Sequence, residues 1–136
     1  GINMIVKVLD KVDNYEEAIK ISCDLLKENN SINDNYFDAI LAKIDEFGPY
    51  FCMAPKFAMP HARPEDGALE NDLCLLKLNE PVDFLGKEIE LFLTLSAKDS
   101  KSHLQLMQKV ASICMDQEKF DKILSLNNEK EIMEVV

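Results

Sequence analysis

The sequence has no tryptophan, only four glycines and five prolines, and two histidines among 136 residues. No apolar run reaches the roughly 18 residues that read as a transmembrane helix, and the N-terminus lacks the basic-then-apolar pattern of a signal peptide. The four cysteines form no CxxC pair, which argues against a zinc ribbon or a thioredoxin-type site. Each cysteine lies in an apolar run, as buried, reduced thiols do. We expect a cytoplasmic protein without a metal or other cofactor.

The composition is that of one globular domain spanning residues 1–136. Apolar residues make up 47% of the chain and charged residues 29%, enough for one core and a solvated surface. The net charge of −10 opposes binding to nucleic acid or to an anionic membrane. It suits a partner with a basic docking face, although ordinary soluble proteins share the same balance.

Apolar periodicity predicts an α/β domain. Helices are expected over residues 15–27, 34–47, 100–115, 120–126 and 129–135. Strands are expected over residues 4–9, 50–54, 57–59, 73–78 and 90–97, with a hairpin at 82–86. Two helices, then strands, then further helices predict a mixed central sheet of about five strands flanked by helices.

His61 lies in an unusual setting, between Pro60 and Pro64. Pro60 has a fixed φ angle and restricts Met59 to extended conformations, so the imidazole is presented on stiff backbone where a strand gives way to a loop. Strand ends and the loops after them often carry functional groups. A turn histidine without a role is the alternative interpretation.

His103 follows the predicted central strand and falls in the first turn of the next helix. Free N–H groups at a helix start favour a bound anion, whereas a simple capping-turn histidine is the alternative. Because both histidines follow strands, they can converge on one edge of the sheet. A neutral imidazole nitrogen can accept a phosphoryl group, and a second imidazole can stabilise the oxygens of that group.

The sequence shows no Walker loop or other glycine-rich phosphate cradle, so a phosphoprotein is the expected donor rather than Mg-ATP. Arg63 is the only arginine and lies two residues after His61. Its guanidinium can bind a phosphoryl group or a partner carboxylate in a forked geometry. A surface salt bridge with Glu65 or Asp66 is the alternative.

Residues 53–67, Met-Ala-Pro-Lys-Phe-Ala-Met-Pro-His-Ala-Arg-Pro-Glu-Asp-Gly, resemble the active-site motif of a known family. This family comprises the enzyme IIA components of the phosphoenolpyruvate-dependent sugar phosphotransferase system, mannitol/fructose type. The Pro-His-Ala-Arg-Pro-Glu form is similar to the ascorbate and galactitol-like branch. Residues 36–40, 81–84 and 99–104 also resemble family segments in the family's order, so the resemblance covers nearly the whole chain.

The resemblance implies a phosphocarrier with a mixed sheet flanked by helices. It implies that His61 accepts a phosphoryl group from the phosphorylated carrier protein HPr and that His103 assists. The group would then pass to a cysteine of an enzyme IIB partner, coupled through the membrane component IIC to uptake of a sugar such as ascorbate or a galactitol-like compound. The chain itself would neither enter the membrane nor bind nucleic acid.

Several further residues are expected at this site. Mannitol-type members carry an arginine on the helix before the motif, and the nearest match here is Lys43, a point charge without the guanidinium fork. We expect Ser102 and nearby amides to hold phosphoryl oxygens. We also expect Phe57, Met59 and Pro60 to form an apolar, partner-binding surface that excludes water from the site.

Two alternatives to a transport role stay open from the sequence. One is a regulatory relative with the same fold, phosphorylated at His61 and acting on a transcription factor or a transporter. The other is an interaction module whose histidines are inert.

Overall fold

A computed structural model describes residues 3–136 of the protein. Its elements follow in the order β1 (Asn3–Leu9), α1 (Tyr15–Glu28), α2 (Asn35–Phe47), β2 (Lys56–Ala58), β3 (Asp72–Phe84), β4 (Lys87–Ser96), α3 (Ser100–Cys114), α4 (Gln117–Ser125) and α5 (Glu129–Val135). A short 3-10 helix, Pro64–Asp66, lies between β2 and β3. No helix in this range is both long enough and apolar enough to span a bilayer.

The four strands form one mixed sheet in the order β1-β3-β4-β2. The long strands β3 and β4 are an antiparallel hairpin, whereas β1 runs parallel to β3 and β2 runs parallel to β4. Helices cover the sheet, which confirms the predicted fold class. Because β2 and β4 are parallel, their carboxyl ends meet at one edge of the sheet.

The strand count is four rather than about five within the described residues. Residues 50–54, predicted as a strand, form a turn that ends in an isolated bridge between Ala54 and Phe57. The turn begins where the Cys52 N–H donates to the Pro49 carbonyl at 3.0 Å. Prolines at 49 and 55 flank the segment and offer no N–H donor at either end of it, which disfavours extension of a ladder.

Two apolar clusters fill the space on the two faces of the sheet. One lies beneath α1 and α2 and includes Cys74, Leu76 and Phe92, while the other lies beneath α3, α4 and α5 and includes Leu73 and Leu75. Alternate residues of β3 therefore enter different clusters, which is why the strand sequence is continuously apolar. The result is a sheet sandwiched between two helical layers.

Candidate active site

The two histidines lie together at the edge where β2 and β4 end. His61 follows β2 by three residues, and His103 lies in the first turn of α3, which follows β4. Their ring centroids are 5.1 Å apart and the rings are inclined at 64°. The parallel pairing of β2 and β4 thus brings together two side chains that are 42 positions apart in the sequence.

One hydrogen bond fixes the orientation of the His61 ring. Its Nδ1 lies 2.9 Å from the carbonyl oxygen of Met59. Since a carbonyl oxygen only accepts, Nδ1 carries the proton, and Nε2 is the nitrogen with a free lone pair. Phe51 packs edge-on against the ring, with centroids 5.1 Å apart.

The surroundings of His61 favour its neutral form. Burial lowers the pKa of His61, and the positive charge of a protonated His103 lowers it further, while the hydrogen bond to Met59 acts in the opposite direction. The net shift is downward. A neutral imidazole with an available Nε2 is a nucleophile near neutral pH.

The start of α3 is held by two polar side chains. Asp99 caps the helix by accepting from the Ser102 N–H at 2.7 Å. Asn71 accepts from the Lys98 N–H and donates to the Ser102 Oγ, both at 3.0 Å. These contacts fix the first turn of α3 and hence the position of His103.

The histidines open onto a cavity of about 430 Å³ at the protein surface. Around the two imidazoles its wall includes Lys43, Tyr50, Arg63, Glu65 and Ser100. Basic groups and the positive end of α3 therefore face a space that is large enough to admit a small anion.

The family profile for the phosphoenolpyruvate-dependent sugar phosphotransferase system, EIIA 2, matches residues 3–136. The chain belongs to this family. It is thus a phosphocarrier component of sugar transport, as the resemblance implied.

Individual relatives are similar over almost the whole chain. The ascorbate-specific EIIA component of Escherichia coli K12 is 30% identical over 138 residues, covering 98% of this chain and 90% of the relative. The mannitol-specific cryptic enzyme IIA CmtB of Escherichia coli superimposes with a TM-score of 0.89 at 35% identity, covering 96% of this chain and 90% of that chain.

A more distant structure shares the fold alone. The mannitol enzyme IIA of Escherichia coli, solved in complex with phosphorylated enzyme IIB, has a TM-score of 0.81 at 18% identity. The alignment covers 98% of this chain and 92% of that chain.

The guanidinium of Arg63 in this EIIA chain is already engaged. Its Nε and Nη2 donate to the two carboxylate oxygens of Asp66, each at 3.0 Å, and the Arg63 N–H donates to the same carboxylate. The salt bridge considered in the sequence is therefore present, although Arg63 also lines the cavity. Lys43 lines the cavity too, with its Nζ 5.7 Å from the centroid of the Phe47 ring.

Three predicted partner-binding residues are in the interior instead. Phe57 and Met59 are 4% and 3% exposed and belong to the core beneath α3, and Pro60 is also buried. They do not line an exposed surface in the unphosphorylated chain, because the sheet is covered on both faces, and their predicted partner-binding role stays a prediction. Met59 nevertheless serves the site through its carbonyl oxygen.

The predicted role of Ser102 in holding phosphoryl oxygens stays a prediction, and the structure places its polar groups in the cap of α3. Its Oγ accepts from Asn71, its N–H donates to Asp99, and it is not part of the cavity wall. Ser100, two residues earlier, lines the cavity in its place.

Sequence reasoning missed other residues of the site. Glu65 lies within the motif and Ser100 at a predicted helix start, so both had a local signal. The side chains of Tyr50 and Asn71 had none, because their roles depend on contacts between distant segments.

Proposed function

We propose that Nε2 of His61 accepts a phosphoryl group from phosphorylated HPr and delivers it to a cysteine of an enzyme IIB partner. The chain would act in the cytoplasm as one domain. Its phosphoryl group would pass through enzyme IIB and so support the import of sugar by a membrane component IIC. The observation that carries this proposal is the Nδ1–H bond to the Met59 carbonyl, which leaves Nε2 as the nucleophile beside His103. Relatives named ascorbate-specific support ascorbate as the imported compound.

Both transfers, from HPr to His61 and from His61 to enzyme IIB, are displacements at phosphorus. The Nε2 lone pair forms a bond to phosphorus while the bond from phosphorus to the donor breaks, and the donor keeps that electron pair. The proton on Nδ1 stays in its bond to Met59, which stabilises the charge that develops on the ring. A partner thiolate then attacks phosphorus, the N–P bond breaks, and His61 returns to the neutral form.

Charge stabilisation would come from groups around the cavity. His103, Lys43 and the N-terminus of α3 at Ser100 offer donors or positive potential to the phosphoryl oxygens. Glu65 opposes an anion on its own side of the cavity, which favours placing the oxygens towards α3.

Both partners would dock on the apolar rim of this cavity. Exposed side chains there are Phe47 at 55% and Tyr50 at 42%, in edge-to-face contact at 5.5 Å, and Leu104, which follows His103, at 59%. Aromatic side chains of this kind often anchor interfaces. The distant mannitol relative, solved in complex with phosphorylated enzyme IIB, supports an enzyme IIB protein as one of the two partners.

Intact mass measurement tests the proposal. After incubation with phosphoenolpyruvate, enzyme I and HPr, the wild-type chain should gain about 80 Da, one acid-labile and base-stable phosphoryl group. His61→Ala should gain nothing, and His103→Ala should gain the same mass more slowly, because it keeps the nucleophile but loses a stabilising group. An unlabelled wild-type chain would support an inert module, and labelling of His61→Ala at the wild-type level would contradict the proposed acceptor.

A further inference from the structure

The hydroxyl of Tyr36 joins two backbone segments that lead to the histidines. Tyr36 lies in the first turn of α2 and is fully buried. Its hydroxyl donates to the Leu95 carbonyl at 2.6 Å and accepts from the Ala62 N–H at 3.1 Å. Burial raises the pKa of Tyr36, so the hydroxyl keeps its proton and its role as a donor.

The register of the sheet shows what this hydroxyl replaces. Ala58 of β2 lies opposite Phe92 of β4, so the same parallel register, continued by three positions, sets His61 opposite Leu95. In a parallel ladder, Leu95 would then bond through its N–H to the residue before His61 and through its carbonyl to the residue after. The first bond is present, with the Leu95 N–H donating to the Pro60 carbonyl at 3.1 Å.

The second bond, from the Ala62 N–H to the Leu95 carbonyl, is not direct, because the oxygen atom of the Tyr36 hydroxyl lies between the two groups. Where the Ala62 N–H would donate directly to the Leu95 carbonyl, it donates to the Tyr36 hydroxyl, which donates onward to Leu95. The Tyr36 hydroxyl therefore continues the hydrogen-bond ladder between the β2 and β4 segments as a bridging group. It holds the chain away from β4 immediately after His61. The same strand β4 leads, through residues 97–99, into the helix that carries His103.

We propose that Tyr36 is a positioning residue for phosphoryl transfer, its inserted hydroxyl setting the separation between the His61 and His103 rings. The inference rests on the proposed function for its kinetic consequence. Its structural part, the control of imidazole position, stands on the hydrogen bonds alone. Without the hydroxyl, the Ala62 N–H and the Leu95 carbonyl lose a buried partner, and this cost favours moving the backbone after His61 towards β4 to form the direct bond.

The test is Tyr36→Phe, which keeps the buried ring and removes only the hydroxyl. We expect phosphoryl transfer from phospho-HPr to slow by about 10- to 100-fold, as a misplaced reacting group does. The loss should fall on kcat, with KM for phospho-HPr unchanged, because the variant leaves the docking rim intact. Long-range ¹H–¹⁵N spectra should show displaced ring resonances for both His61 and His103.

Tyr15→Phe is the matched control. The Tyr15 ring stacks on Phe84 with centroids 4.3 Å apart, and its hydroxyl has no hydrogen-bond partner among residues 3–136. This variant should retain the wild-type rate and histidine resonances. Wild-type kinetics in Tyr36→Phe, or slowed kinetics with unmoved resonances, would overturn the positioning role.

The outcomes separate this inference from the proposed function. If the wild-type chain takes no phosphoryl group, the proposed function fails, and the histidine resonances alone decide the role of Tyr36. If Tyr36→Phe does not fold, amide exchange in the wild-type chain decides it: slow exchange at Ala62 supports the inserted bond, and fast exchange overturns it.

Discussion

The imidazole of His61 shows how a few contacts define a reactive group. The Met59 carbonyl selects the Nδ1–H tautomer, and Phe51 covers one side of the ring. Burial keeps the ring neutral, so the nucleophile does not need a separate general base. The stiff backbone that Pro60 provides was visible in the sequence, whereas the Met59 contact was not.

Titration of His61 should reflect this environment. Because burial lowers its pKa, we expect the ¹H–¹⁵N titration midpoint of His61 to lie below the ordinary value of about 6.5. At pH values between the folded-state pKa of His61 and this ordinary value, His61 binds more protons in the unfolded chain than in the folded chain. The free energy of unfolding should therefore fall as pH drops through this window and cease to change from this group below it.

His103→Gln serves as the control for that titration. It removes the neighbouring charge, so the His61 midpoint should rise but stay below about 6.5, since desolvation is the larger cause. A midpoint at or above the ordinary value in the wild-type chain would contradict the buried, neutral ring.

Phe57 lies in the core, whereas Tyr50 lies on the proposed docking rim, so substitutions at these two positions should have different effects. Phe57→Ala should lower the free energy of unfolding by about 3–5 kcal/mol, because a buried ring in contact with Phe120 is lost. Tyr50→Ala should cost about 1 kcal/mol or less and should instead raise KM for phospho-HPr. Urea denaturation and transfer kinetics measure both. A Phe57→Ala variant with native stability and weakened docking would restore the role first predicted for this residue.

Residue-level prediction could use only local signals, and the two histidines that it selected lie side by side in the structure. The proline-bracketed His61 and the helix-start His103 were identified from their neighbours in the sequence. The side of the sheet to which Phe57 and Met59 point was not predictable, because a strand covered on both faces is apolar throughout. The partners of the Tyr36 hydroxyl are 26 and 59 positions away, beyond any local pattern.

At the scale of elements, the loop before β3 fixes the start of α3 through Asn71. Asn71→Ala should lower the free energy of unfolding by about 1 kcal/mol, since it removes the bonds to Lys98 and Ser102. It should also slow transfer several-fold, because the first turn that carries His103 loosens. Urea denaturation and the transfer assay are the measurements.

Asn14→Ala is the element-scale control. Asn14 caps α1 by accepting from the Glu17 N–H at 2.8 Å, and its loss should also cost about 1 kcal/mol. Since α1 does not line the cavity, transfer should continue at the wild-type rate. Equal slowing in both variants would show that general destabilisation, rather than the tie to α3, controls the rate.

Helices were easier to predict than strands. The 3.6-residue period located α1, and α5 has the expected bounds. The segment 50–54 is apolar like a strand, but its backbone partners depend on the turn at Pro49. The Asp99 side chain caps α3 by accepting from the Ser102 N–H, a contact that only the side-chain geometry shows.

At the scale of the whole molecule, the sheet topology brings the residues of the site together. Element order predicted a mixed sheet between helices, but the direction and pairing of β2 and β4 came only from the structure. That pairing brings the ends of two strands to one edge, where α2 from one helical layer and α3 from the other meet around the cavity. One face can thus serve donor and acceptor in turn.

The most direct measurement is a long-range ¹H–¹⁵N correlation spectrum of the ¹⁵N-labelled chain after phosphorylation by phosphoenolpyruvate, enzyme I and HPr. We predict one phosphohistidine, with phosphorus on Nε2 of His61 and the proton on Nδ1, and its disappearance when enzyme IIB is added. Phosphorus on Nδ1 of His61, or on His103, would contradict it.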